Sequence, residues 1–425
     1  MLLGFDSFAL IMEKIQQVQP LRWACLACQR ILTVAACLAI WAWPAAAQER
    51  FQPADTTVVL RSSIHAQSTQ AGSLPALDKA WRAQANDLEA ALAYARAVFI
   101  LGLDEGDLRW FGSAKAALTP WWHASDLPAE GFFLRGLVKQ GFHDFGAGLQ
   151  DIDKAIALEP NHPEFWSWRF ALHLLLGDLR AARQDCDDMA RLFGATEASV
   201  YRAVLLYRSG HAQAAIESLK TLIDAANFQD SASQDWLGFH LGEAYRVAGQ
   251  TEQAVNVWEK RLKANGQSHF LQLSLAEVFN QQGKYRQARE TAGKEPYSDA
   301  LLMQALLASR GLQDGDEKRL AGIFEARIKS QALRKESLIE RPQLLYLIEY
   351  GKDLQAGLDL SIANWELQKE PPDAMLFVQA ALALKQNNAA APVVDWAAQT
   401  GYTDPQLTPL IRQLKAHPNW SGGRP

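Results

Sequence analysis

The sequence predicts an all-α chain made of repeated antiparallel helix pairs, and three observations carry that reading. Alanine and leucine dominate the apolar residues, and alternating runs of Val, Ile or Thr are few, which favours helix over strand. From Leu77 onward apolar residues recur at helical spacing and the segments break at Gly or Pro, among them Gly102, Pro120, Gly141, Pro160, Gly177, Gly210, Gly249, Gly266, Pro296, Gly351 and Pro371. The pattern also repeats at a fixed step: Leu241-Gly242, Tyr245, Gly249, Ala254 and Trp258 return 34 residues later as Leu275-Ala276, Phe279, Gly283, Ala288 and Ala292.

Along the chain, residues 1–47 read as a targeting segment. Arg22 and Arg30 precede an apolar run from Ile31 to Trp43, and Ala45 and Ala47 supply a small-x-small cleavage pattern before Gln48. The run is short for a membrane span and suits a signal peptide, with retention as an inner-membrane anchor the alternative and Met12 an alternative start. Loss of this segment removes Lys14, Arg22 and Arg30 against Asp6 and Glu13, which moves the formal charge from −5 to about −6. Such mild acidity leaves no footprint for nucleic acid. Cys25, Cys28 and Cys37 lie in the same segment, so only Cys186 is expected in the mature chain, as a buried core residue.

Residues 48–75 read as a flexible linker, 76–128 as divergent helices, 129–294 as well-matched repeat units, 295–415 as divergent C-terminal helix pairs, and 416–425 as a tail. The units fall near 129–162, 163–195, 196–230, 235–268 and 269–294, the last truncated before Pro296. In the first divergent stretch Gly106 to Trp110 reads as an insertion; Gly315 and Lys335 mark others near the C-terminus. Small residues at Gly136, Ala203, Gly242 and Ala276 on first helices, and at Gly148, Ala182, Ala215, Ala254 and Ala288 on second helices, allow close approach within a pair. Ile152, Cys186, Leu219 and Trp258 share one position of the second helix and should fill the core. Glycines at 177, 210, 249 and 283 should end the first helices.

A 34-residue period with these residue types resembles the tetratricopeptide repeat. The resemblance implies a right-handed superhelical solenoid whose first helices line a concave groove that receives proteins or peptides. Carried over by repeat position, it implies Phe133, Leu137 and Gln140, then Ser167, Ala171 and Leu174, then Val200, Tyr207 and Arg208, then Trp236, Phe239, Glu243 and Arg246, and finally Phe270, Asn280 and Gln281 as groove residues. Phe133 and Ser167 stand where a carboxylate clamp would need lysine, so that mode of binding is disfavoured.

Motifs for catalysis, phosphate binding or metal ligation are missing from the mature sequence, and no cofactor is expected. Asp314, Asp316 and Glu317 read as an exposed turn rather than a calcium loop, and His143-Asp144 as turn chemistry. Asp185, Asp187 and Asp188 read as a solvated face. The expectation is therefore a non-catalytic periplasmic or envelope scaffold for a protein or peptide partner. The alternative is a cell-wall or glycan-associated factor using the aromatic clusters Trp110-Phe111, Trp121-Trp122 and Phe165-Trp166-Trp168.

Overall fold

The structure, a computed structural model, describes residues 74–107, 109–225, 228–265, 268–294, 296, 298–333 and 341–422. The targeting segment, nearly all of the linker, Gly266 and Lys335 lie outside the described residues. Among the described residues there are 20 α-helices, two short 3-10 turns and no strand. None of these helices is long and apolar enough to cross a membrane.

Helix α1 (Leu74–Ala83) precedes a series of helix pairs: α2 (Leu88–Glu105) with α3 (Arg109–Leu118), α4 (Ala129–Gly141) with α5 (Phe145–Leu158), and α6 (Pro163–Leu176) with α7 (Leu179–Phe193). The series continues with α8 (Ala195–Arg208) and α9 (Ala212–Ile223), α10 (Ser231–Val247) and α11 (Thr251–Asn265), α12 (His269–Gln281) and α13 (Tyr285–Ala292). Then come α14 (Asp299–Leu312) with α15 (Glu317–Leu333), α16 (Arg341–Ile348) with α17 (Leu354–Leu367), α18 (Pro371–Ala383) with α19 (Ala391–Thr400), and a closing α20 (Leu407–Ala416). Each repeat unit read between 129 and 294 corresponds to one such pair, with α8 starting at Ala195 and α10 at Ser231, ahead of the 196 and 235 expected.

Local chemistry sets the boundaries. Asp144 and Asp178, one repeat apart, cap α5 and α7 by accepting hydrogen bonds from the amides of Ala147 and Ala181 at 3.3 and 2.9 Å. Pro163 and Pro371 open α6 and α18, where a missing amide hydrogen costs nothing. The break expected at Gly102 is absent. Gly102 lies inside α2, where an added Cβ would meet the Phe111 ring at 2.9 Å, and the helix ends at Gly106 in the left-handed region. What looked like an insertion at Gly106 to Trp110 is this turn and the start of α3.

Within the pairs, small residues do set the spacing. A Cβ on Gly136 would stand 2.9 Å from the carbonyl oxygen of Gly148, and one on Gly148 the same distance from that of Gly136. Ile152, Cys186, Leu219 and Trp258 are completely buried. The Trp258 indole fits against Gly242 and donates to the Phe239 carbonyl at 3.1 Å. Burial pushes the Cys186 thiol up to about 12, so it stays protonated and unreactive.

Ion pairs follow the period as well. Arg135 and Lys139 of α4 clasp Asp151 of α5 at 2.7 Å, and one repeat on Arg169 and His173 of α6 hold Asp185 of α7 at 2.7 and 2.6 Å. Asp185 is 1% exposed, which corrects the expectation of a solvated face there: the residue ties the two helices of its pair together. Asp187 is the solvated member of that trio, paired with Arg202 across the surface at 2.9 Å. Arg96 of α2 reaches Glu130 at 2.7 Å and Glu164 at 3.1 Å, the equivalent positions one and two repeats further on, and so bridges three units.

The array winds back on itself. The Lys369 amide, just before α18, donates to the Leu175 carbonyl of α6 at 2.7 Å. The turn at Gly210, between α8 and α9, abuts the backbone of Gly401 after α19, and the turn at Gly249 faces Pro405. At the N-terminal side, a Cβ on Gly106 would meet the His269 ring, at the start of α12, at 2.5 Å. The turn inside an early pair thus sits against the segment leading into a later pair, at several successive places.

Candidate functional site

First helices supply the interior wall. Residues of α8, α10, α12, α16 and α18, with the segment before α20, surround an inner chamber of about 90 Å³, room for roughly three waters at about 30 Å³ each. A second cavity of about 490 Å³ adjoins it and is walled by α12, α14, α16 and α18. The two share Glu277, Gln281, Arg341, Pro372 and Met375. The larger volume lies in the range of sites that hold a small molecule or a few residues of peptide.

Six of the groove residues carried over by repeat position meet here. Tyr207, Arg208, Phe239, Glu243, Arg246 and Gln281 all line the inner chamber, and Asn280 joins Gln281 in the larger one. Nine others lie elsewhere: Phe133 and Trp236 are core, with 0% and 1% exposure, Leu137, Ala171, Leu174, Val200 and Phe270 are also buried, and Ser167 is buried with its hydroxyl 2.7 Å from that of Tyr201. Gln140 is buried beside Gly148, its Oε1 without a hydrogen-bond partner. Repeat position alone could not separate these sets, because the inner face of an early first helix packs on the next unit while that of a middle one meets the returning C-terminal helices.

The C-terminal helices supply partners for the chamber's cations. Arg208 binds Glu370 at 2.9 Å, Arg246 binds Glu243 at 3.0 Å and Asp404 at 2.9 Å, and Arg341 binds Asp373 at 2.6 Å. Gln281 accepts from Gln406 at 2.9 Å. Tyr207 contacts His240 Nδ1 at 2.8 Å, and burial raises its phenol above the ordinary value, so it stays neutral. Glu370, Tyr402 and Asp404, with Asp373 behind Arg341, are residues that sequence reasoning missed. They fall in the divergent C-terminal pairs, where the repeat signature that located the others has faded.

The acidic groups behave differently from the arginines. Burial raises Glu277 above the ordinary carboxylate value, with Arg341 and Arg246 pulling the other way and Glu243 reinforcing the rise. Desolvation inside the winding, reinforced by the Glu277 charge, pushes Glu349 up to about 7, although its side chain opens to solvent at the wider cavity. No group of three or more His, Cys, Asp or Glu among the described residues could hold a metal ion. Asp314, Asp316 and Glu317 form a turn: the Asp314 carboxylate accepts from the Asp316 amide, and Asp316 pairs with Arg289 and Arg319.

The aromatic clusters are structural. Phe165, Trp166 and Trp168 are buried, Trp110 donates to Glu105 at 2.9 Å, and Trp121 and Trp122 pack half-buried against the core, with Lys115 and Lys139 over the Trp122 ring.

No protein-family model matches the chain, and no curated protein does. Among solved structures it is similar to a Rap protein complexed with competence and sporulation factor, at 13% identity over 81% of this chain and 98% of that one, with a TM-score of 0.41. It is also similar to the P58(IPK) TPR domain, at 13% identity over 81% of this chain and 92% of that one, with a TM-score of 0.20. The chain's own 34-residue period and its antiparallel helix pairs are similar to those of tetratricopeptide repeats.

Proposed function

We propose that the protein is a non-catalytic scaffold or adaptor of the bacterial envelope, exported by residues 1–47, that receives a segment of a partner protein against the inner wall formed by its first helices. The observation that carries this reading is the convergence of Tyr207, Arg208, Phe239, Glu243, Arg246 and Gln281 on one cavity, with arginines already neutralised by carboxylates of the same chain. Such a wall offers shape, aromatic surface and hydrogen bonds rather than a poised nucleophile and base. The buried state of Phe165, Trp166 and Trp168 speaks against the alternative of a glycan platform, which needs exposed ring faces.

Site-specific photocrosslinking in cells tests it. A crosslinking residue at Gln281 should trap one dominant partner, and the same residue at exposed Lys220 on a second helix should not. Trapping at neither position, or equally at both, would overturn the assignment. Mass measurement of the exported form should place its N-terminus at Gln48; a retained leader would make it an anchored protein instead.

A further inference from the structure

We infer that the larger cavity is the subsite for a basic side chain of the partner: a lysine or arginine whose cation sits between Glu277 and Glu349 while its peptide backbone meets Arg341. The inference rests on the scaffold reading and names the chemistry of what enters.

Arg208, Arg246 and Arg341 each carry a carboxylate of this chain as partner. Glu277 and Glu349 face the same cavity, and neither has a cation within ion-pair distance among the described residues. Arg310, also on this wall, is turned to the Tyr350 carbonyl and lies over the Tyr350 ring, 5.0 Å from its centroid. Two carboxylates without an ion pair therefore stand on this wall against one cation without one, Arg310.

Two further groups on the wall are unsatisfied, and they are of opposite kinds. The Asn280 side chain spends its amide on Gln304, at 2.9 Å to the carbonyl and 2.8 Å to Oε1, which leaves its own Oδ1 buried without a donor. Arg341 is 6% exposed and bonds Asp373 through Nε, but its Nη2 is buried without an acceptor, the nearest carboxylate oxygen on Glu370 being 4.0 Å away. Buried polar groups left unpaired are costly, and a ligand that completes them recovers that cost. A basic residue in a peptide does so in one piece. Its cation meets Glu277 and Glu349 through charge-assisted hydrogen bonds, one of its N–H groups reaches Asn280 Oδ1, and a backbone carbonyl accepts from Arg341 Nη2. A simple amine lacks the carbonyl, and a metal ion could not use the arginine.

Calorimetry on the full-length protein tests the subsite with two blocked tripeptides, acetyl-Gly-Arg-Gly-amide and its citrulline counterpart, which keeps the shape and loses the charge, and with spermidine. The arginine peptide should bind at least about tenfold more tightly than the citrulline one, and Glu277→Gln with Glu349→Gln should erase that preference. Glu366→Gln, on the exposed side of α17, should leave it intact. Melting of the double variant, measured by circular dichroism, should match or exceed that of the parent. Equal binding of the two peptides, an undiminished preference in the folded double variant, or binding of spermidine alone would overturn the inference. A partner crosslinked at Gln281 without any peptide preference would remove the basic subsite and leave the scaffold standing; a clear preference without a crosslinked partner would do the reverse.

Discussion

Arg208 and Glu370 are 162 residues apart in the chain and joined by a 2.9 Å ion pair in the interior, each side chain only 13% exposed. The pair fastens the end of α8 to the start of α18. Truncating one member leaves the other buried and unpaired, so Arg208→Ala should lower stability by about 3 kcal/mol in urea unfolding, while Arg208→Met with Glu370→Leu should recover most of the loss. Hydrogen exchange in residues 369–375 should rise in the single variant. An unchanged denaturation midpoint would mean the pair does not hold the turns together.

Backbone proximity at Gly210 gives a second test. Gly210 has φ +82 and lies against the Gly401 backbone, whereas Gly283 has φ +70 and open space around it. Gly283→Ala should cost about 1 kcal/mol, the conformational term alone. Gly210→Ala adds a clash with a distant segment and should cost clearly more. Equal midpoint shifts would place Gly401 away from the turn.

The repeated clasp between paired helices gives a third. Asp185→Asn would leave His173 without its carboxylate and Arg169 with only the exposed Asp153 at 3.2 Å, and a loss of about 2 kcal/mol is expected. For Asp151, burial alone would raise the carboxyl, but hydrogen bonds from Arg135 and Lys139 outweigh it and hold it below the ordinary value. Its contribution is therefore present above the unfolded pKa near 3.8 and is lost as pH falls through the lower folded value. Asp151→Asn should flatten the acid limb of a stability profile below about pH 4.

Two groups respond at milder pH with opposite signs. Burial pushes His143 down to about 4, so the unfolded chain takes up the proton first and stability is lost as pH falls from 6.5 toward 4. Glu349, raised to about 7, favours the folded chain while protonated, and stability is lost as pH climbs from 4.5 through 7. Melting measured from pH 4 to 9 should show His143→Asn gaining relative to the parent below pH 6 and Glu349→Gln gaining above pH 7. Variants that track the parent at both ends would contradict these assignments.

Much of the architecture was legible because the period was. Ile152, Cys186, Leu219 and Trp258 could be placed in the core by aligning repeats, and Gly136 and Gly242 as contact points, since packing inside a pair depends on residues close in sequence. The closing of the interior was not legible. Arg208 with Glu370 and Arg246 with Asp404 join residues more than 150 positions apart, and one partner of each pair lies in helices that have lost the repeat signature. Arg96 with Glu130 and Glu164 was a missed opportunity: the acceptors sit 34 and 68 residues on, and a charge comparison at the repeat step would have found them.

The C-terminal helices return against the inner wall of the middle units. Spin labels at Gln281 and Gln406, whose side chains bond at 2.9 Å, test it by pulsed dipolar spectroscopy. In the chain from Gln48 onward Cys186 is the one native cysteine, and it stays unlabelled because it is buried and its thiol remains protonated. A single narrow population at the short end of the measurable range is predicted. A broad distribution centred on long separations would show an open array and contradict the account.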